Sequence, residues 1–138
     1  MKNILKFIRA TWELPQNILG AIAVKIFNAS PYTTYKDAQV YSWNIAGGMS
    51  LGKHIFLPFR ELDPNTFAVQ IHIKHEYGHT LQSKRLGWLY LLVIALPSFL
   101  WCWLGKEHRR KTGKTYYDFY TESWADKLAG IDRVQADK

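Results

Sequence analysis

The residues best suited to chemistry sit together in His75-Glu76-Tyr77-Gly78-His79, an HExxH pattern. On a helix, residues four apart share a face with their Cβ atoms about 5–6 Å apart, so both imidazoles can address one metal ion. Glu76 follows the first histidine and lies beside that face, where it can take a proton from a water on the ion without ligating it. Two histidines do not complete a zinc site. A catalytic one takes three protein ligands and keeps its fourth position open. Further along, Glu122-Ser123-Trp124-Ala125-Asp126 places two carboxylates one helical turn apart, so a ligand and a group supporting a ligand could reach one site from there. Three rivals remain. His72 precedes Glu76 by one turn but at the wrong end of the histidine pair. His108 sits in a basic run suited to solvent or phosphate, and Asp118 would serve if the register of the last helix slipped.

HExxH followed by ExxxD resembles the gluzincin metallopeptidases, the thermolysin-like clan, and the small size resembles its compact members, the minigluzincins. The resemblance covers the two motif helices and the strand before them, about half of the chain. It implies Zn²⁺ held by His75, His79 and Glu122, with Asp126 bonded to the far ring nitrogen of His75. It further implies peptide-bond hydrolysis of a peptide or protein substrate, with Glu76 as general base and the ion activating water and polarising the carbonyl. Such chemistry needs a second donor to the oxyanion, for which Tyr116, Tyr117, Tyr120 and His108 are candidates. The stretch Met49 to Leu57 would be the zincin-like edge strand, offering backbone groups to an extended peptide. Ordinary gluzincins carry a further helical domain as the other wall of the cleft, for which 138 residues leave no room.

The elements that must position these residues read as an α+β domain dominated by helices, a single zincin-like unit over 1–138 with a small hairpin before the HExxH helix. Ile4, Leu5, Ile8 and Trp12 alternate with Lys2, Lys6, Arg9 and Glu13 at helical spacing; Pro15 breaks that helix, and a second apolar one follows to Phe27. Asn28 to Lys36 reads as a loop. Gln39 to Ile45 and Met49 to Leu57, around Gly47-Gly48, read as a β-hairpin. Asp63 and Thr66 are N-cap candidates for a long helix from Thr66 to Arg85. A last helix is expected from Tyr116 to about Ala129, stopped by Gly130.

Between Arg85 and Lys106 lie 20 residues, Leu86 to Gly105, without a charge. That is long enough for a transmembrane helix, yet a single crossing would put Glu122 on the opposite side from His79, so spanning and the shared metal exclude each other. A buried core hairpin or helix, or a membrane-dipping hairpin bent near Pro97-Ser98, fits both. Trp88, Trp101 and Trp103 near its ends suit an interfacial belt as well as a core. On the core reading this run and the N-terminal helices pack inward; on the membrane-dipping one, membrane-surface contact is expected through the run and the basic N-terminal helix.

The charge balance is 18 Lys+Arg against 11 Asp+Glu, net +7, and no nucleic-acid recognition motif accompanies it, so no specific nucleic acid is expected. A single cysteine, Cys102, excludes an intrachain disulfide and an all-cysteine zinc knuckle. No cleavable signal peptide is evident, which places the expected location in the cytoplasm, free or peripheral or monotopic at the membrane. The alternative to an enzyme is a non-catalytic zinc-stabilised domain that binds a membrane or a partner. A fourth protein ligand such as His72 or Cys102 would favour it.

Overall fold

The computed structural model describes residues 1–136 and has an α+β fold, with helices around a small four-stranded sheet. Two helices open the chain, α1 (Lys2–Trp12) and α2 (Leu14–Ile26). They part at Glu13, and Pro15 sits in the first turn of α2, where its missing N–H costs nothing. The strands are β1 (Ser30–Tyr35), β2 (Ala38–Ser42), β3 (Met49–Leu51) and β4 (His54–Leu57), in the order β1-β2-β4-β3.

This sheet corrects two sequence expectations. The segment read as a loop holds β1, an edge strand antiparallel to β2, with a bulge between Pro31 and Thr33. An edge is where a proline such as the exposed Pro31 is tolerated, so the breaker signal did not exclude a strand. Nor do the two apolar stretches form one hairpin across Gly47-Gly48. β2 and β4 run parallel, and the tight turn lies at Gly52-Lys53, between β3 and β4. The Lys53 amide there donates to Asn17 Oδ1 at 2.9 Å, tying the turn to α2.

One face of the sheet, with Val40, Ile55 and Leu57, packs on Val69, Ile73 and Tyr77 of α3 (Phe67–Leu86). The other, with Trp43, Leu51 and Phe56, packs on Ala23 of α2. After α3 a 3₁₀ turn (Gly87–Leu89) and a π turn (Leu91–Ala95) lead into α4 (Leu96–Leu104). The chain bends by 117° between Phe67–Leu89 and Leu91–Leu104, and no single helix among the described residues is long and apolar enough to cross a membrane. The bend falls upstream of Pro97, at Tyr90. Gly87 ends α3 just before it: its φ of 57° is open to glycine, and a Cβ there would collide with the Trp12 indole. The strap from Gly87 to Leu104 is only partly core: Tyr90 and Ile94 are buried, whereas no residue of α4 is. The basic α5 (Lys106–Thr112), a 3₁₀ turn (Tyr116–Asp118), α6 (Tyr120–Ala129) and the short α7 (Arg133–Ala136) complete the chain. The last helix thus begins later than the sequence suggests, because Asp118 is used in a capping box with Thr115.

Candidate metal centre

The site forms where α6 crosses α3. Gly78 sets the distance between them: a Cβ there would lie 2.1 Å from the Ala125 carbonyl oxygen, so only a bare Cα lets α6 come this close. The approach brings Glu122 against the HExxH face. His75 Nε2 and His79 Nε2 lie 3.0 and 3.2 Å from the same atom, Glu122 Oε2. His75, His79 and Glu122 are all buried, and one potential ligand atom from each lies within 4.8 Å of the others; the group can hold a metal ion.

The surrounding hydrogen bonds decide how these atoms face one another. Gln82 Nε2 donates to the Thr121 carbonyl at 2.8 Å, so Gln82 Oε1 is the acceptor left facing His79 Nδ1, at 2.7 Å. His79 therefore carries its proton on Nδ1. On His75, Nδ1 lies 2.7 Å from Asp126 Oδ1 and 3.1 Å from Arg133 Nη2, and the shorter contact, to the acceptor, favours the proton on that nitrogen too. Glu122 Oε1 accepts from the Ser98 and Thr121 hydroxyls, leaving Oε2 to the imidazoles. In the neutral tautomers two nitrogen lone pairs and a carboxylate oxygen converge in a buried space. Only a cation stabilises such an array, either protons on the rings or a metal ion. The donor set thus fits a metal.

The proton-bound form shows the same tension. Burial works against a charge on His75, but the carboxylates of Asp126 and Glu122 outweigh it and push its pKa up to about 9. Burial likewise opposes ionisation of Glu122, and the bonds and charge of the two histidines hold it far below the usual carboxylate range.

Glu76 is buried beside the group. Its Oε2 lies 2.7 Å from Ser50 Oγ on β3, the edge strand. The Ser50 carbonyl accepts from the buried Tyr90 hydroxyl at 2.9 Å, so part of that edge is already taken. Asp126 is gripped from behind by Arg133, whose Nε and Nη2 reach its two oxygens at 2.7 and 2.8 Å. The same guanidinium lies 3.5 Å from the Tyr117 ring centroid, and Tyr117 packs edge-on against His75.

The structure thus brings together His75, Glu76, His79, Glu122, Asp126 and Tyr117. Tyr116 is near, its hydroxyl 3.4 Å from Ser98 Oγ. Tyr120 is exposed and donates to the Val93 carbonyl, and His108 is exposed on α5 against Trp101. His72 is exposed, its Nδ1 2.8 Å from the Ala68 carbonyl. Neither His72 nor Cys102 belongs to the metal group among the described residues. Sequence reasoning missed Gln82, Ser98, Ser50 and Arg133. Only Gln82 carried a signal, its spacing of three from His79 on one helix.

Comparison of the chain with protein-family models, curated proteins and solved structures gives no match to any of them.

Proposed function

We propose that this protein is a zinc-dependent hydrolase of gluzincin type acting on peptide bonds. The observation that carries the reading is the convergence of three lone-pair atoms on one point with a further carboxylate, Glu76, beside them, only one oxygen of which is tied to Ser50. His75 Nε2, His79 Nε2 and Glu122 would hold the ion, a nitrogen and oxygen set that suits zinc and leaves a coordination position open. When bound, zinc supplies Lewis acidity, polarising a carbonyl and acidifying a water molecule.

The rest of the work falls to the chain. Asp126 and Gln82 hold the two Nδ1 protons and so keep the Nε2 lone pairs aimed at the ion. Ser50 anchors one oxygen of Glu76, leaving Oε1 to accept the proton of the attacking water. As the water oxygen bonds to the carbonyl carbon, its proton passes to Glu76. When the carbon–nitrogen bond breaks, Glu76 returns that proton to the departing amine. Tyr117, whose ring is held between His75 and Arg133, would be the donor to the carbonyl oxygen.

Elemental analysis of metal-replete, chelator-free protein, joined to a peptide-cleavage assay, tests this. Wild type should carry about one zinc per chain and Glu122→Ala should lose it. Glu76→Gln should keep the metal and lose cleavage by roughly 10²–10⁴-fold. A cleaving Glu76→Gln variant, or unchanged zinc in Glu122→Ala, would overturn the assignment. The complete burial of Glu122 favours a second reading, in which the ion only ties α3 to α6. On that reading wild type binds zinc without cleaving any peptide, and Glu76→Gln changes neither property.

A further inference from the structure

Outside the metal group, the largest departure from an ordinary protein surface is an apolar face built from three elements. On α1, Ile4, Leu5, Phe7 and Ile8 are all exposed, Phe7 to 69%. On α2, Leu14, Ile18 and Ile22 form an exposed stripe at helical spacing. On the strap, Leu92, Leu96, Phe99 and Trp103 point outward, the last two to 57% and 63%. The three meet at one junction: Trp12 packs over Gly87 and donates to the Lys84 carbonyl, and Gln16 donates to the Gly87 carbonyl at 2.9 Å. So many large apolar side chains on adjoining elements mark an interaction surface.

We propose that this face docks on an anionic lipid bilayer, lying within its interface and not crossing it. Charge selects the occupant. The strap is bordered by Arg85 on one side and by Lys106, Arg110 and Lys111 on the other, where the one carboxylate of Glu107 pairs with both Arg110 and Lys111 and leaves the segment net positive, with no charge between Leu86 and Gly105. α1 carries the exposed Lys2 and Lys6 and not one acidic residue. An apolar surface rimmed by cations is complementary to a bilayer, whose acyl region accepts the side chains while its anionic headgroups meet the rim. A second copy of the chain would set the same cationic rim against itself, at +7 per chain. Trp88 and Trp103, exposed near the two ends of the strap, sit where indoles favour the headgroup level.

Depth is limited from within. Ile94 and Tyr90 are buried on the inner side of the strap, Ser98 donates to Glu122, and Tyr120 donates to the Val93 carbonyl. The strap therefore presents one side to the metal group and the other to the lipid, and its 117° bend returns the chain to the side it came from.

The test is co-flotation of the full chain with phosphatidylcholine vesicles made with and without phosphatidylglycerol, followed by tryptophan quenching with lipids brominated at shallow and deep acyl positions. Binding should require phosphatidylglycerol, and shallow bromines should quench more than deep ones. A Phe99→Asp/Trp103→Asp double variant, substituted only at exposed positions, should keep its circular dichroism and lose flotation. Lys2→Glu/Lys6→Glu should weaken binding about fivefold or more per charge. The proposal fails if wild type stays unbound to both vesicles, or if the apolar double variant floats as well as wild type. It also fails if light scattering finds a lipid-free dimer that the double variant abolishes, since a second copy would then cover the face.

Discussion

The α3–α6 crossing and the face formed by α1, α2 and the strap invert the usual arrangement in opposite senses. At the crossing, His75, Glu76, His79, Glu122 and Asp126 are all buried, Glu122 completely. On the face, large apolar side chains stand in solvent. Buried ionisable groups persist only where each has a partner, and here every one does: Gln82, Ser50, Ser98 and Arg133 complete the set. The apolar face has no such internal compensation, and the proposed bilayer contact would be what offsets its cost. The polar inversion is thus solved within the chain, while the apolar one is open to a partner, and the strap is the element common to both.

That contrast can be broken most forcefully on the strap itself. Ile94 is wholly buried and Leu96, two residues on, is half exposed. Ile94→Ala should cost about 2–5 kcal/mol of stability in urea unfolding, whereas Leu96→Gln should change it by no more than about 0.5 kcal/mol. Equal losses would mean that the outer side is covered in solution. A smaller effect should come from Asp126→Asn, which keeps an acceptor near His75 but removes the charge. Metal affinity should fall roughly 10–100-fold in chelator competition, with the fold retained; unchanged affinity would deny Asp126 its orienting role.

The smallest effect separates burial from charge. Asp37, Lys84 and Tyr77 form an ion pair and hydrogen bond near the same helix, but about half of the Asp37 side chain stays in solvent. Lys84, through its hydrogen bond, holds Asp37 below the usual carboxylate range. Burial opposes the charge on Lys84, yet Asp37 raises it above its ordinary value. The stabilisation from Asp37 is present above the unfolded pKa of about 3.9 and lost as pH falls through the lowered folded value. The share from Lys84 is full below about 10.4 and lost as pH rises through the raised one. Asp37→Asn should therefore cost about half a kcal/mol or less, seen near neutral pH and vanishing at both extremes of a pH series of unfolding curves.

The sequence made the local parts of this architecture legible and left the tertiary closures out of reach. HExxH and ExxxD are statements about helical spacing, and α3 runs within one residue of its expected bounds, Phe67–Leu86 against Thr66 to Arg85. Periodicity also identified the amphipathic α1, and Pro15 pointed to the helix boundary, which falls two residues earlier at Glu13 with the proline inside the first turn of α2. The parallel pairing of β2 with β4 left no local trace, since nothing in a strand names its neighbour. β1 was hidden by Pro31 and its threonines, which are edge-strand residues as readily as loop residues. Ser98 lies inside an apolar run and Arg133 beyond the last motif, so their contacts to Glu122 and Asp126 follow only from how the strap and the chain end fold back.

The sequence separation within the metal group carries a consequence for biosynthesis. Glu122 lies 43 residues after His79. At roughly 5–20 residues per second, the ribosome makes the histidine pair some 2–9 s before the carboxylate that completes the site. Arg133, which grips Asp126, follows later still. A nascent chain thus holds two imidazoles on α3 with neither Glu122 nor Asp126 to face them. Capture of a metal by all three groups would therefore wait until α6 has been made and has closed over Gly78, so metal content would count the chains in which that crossing has formed.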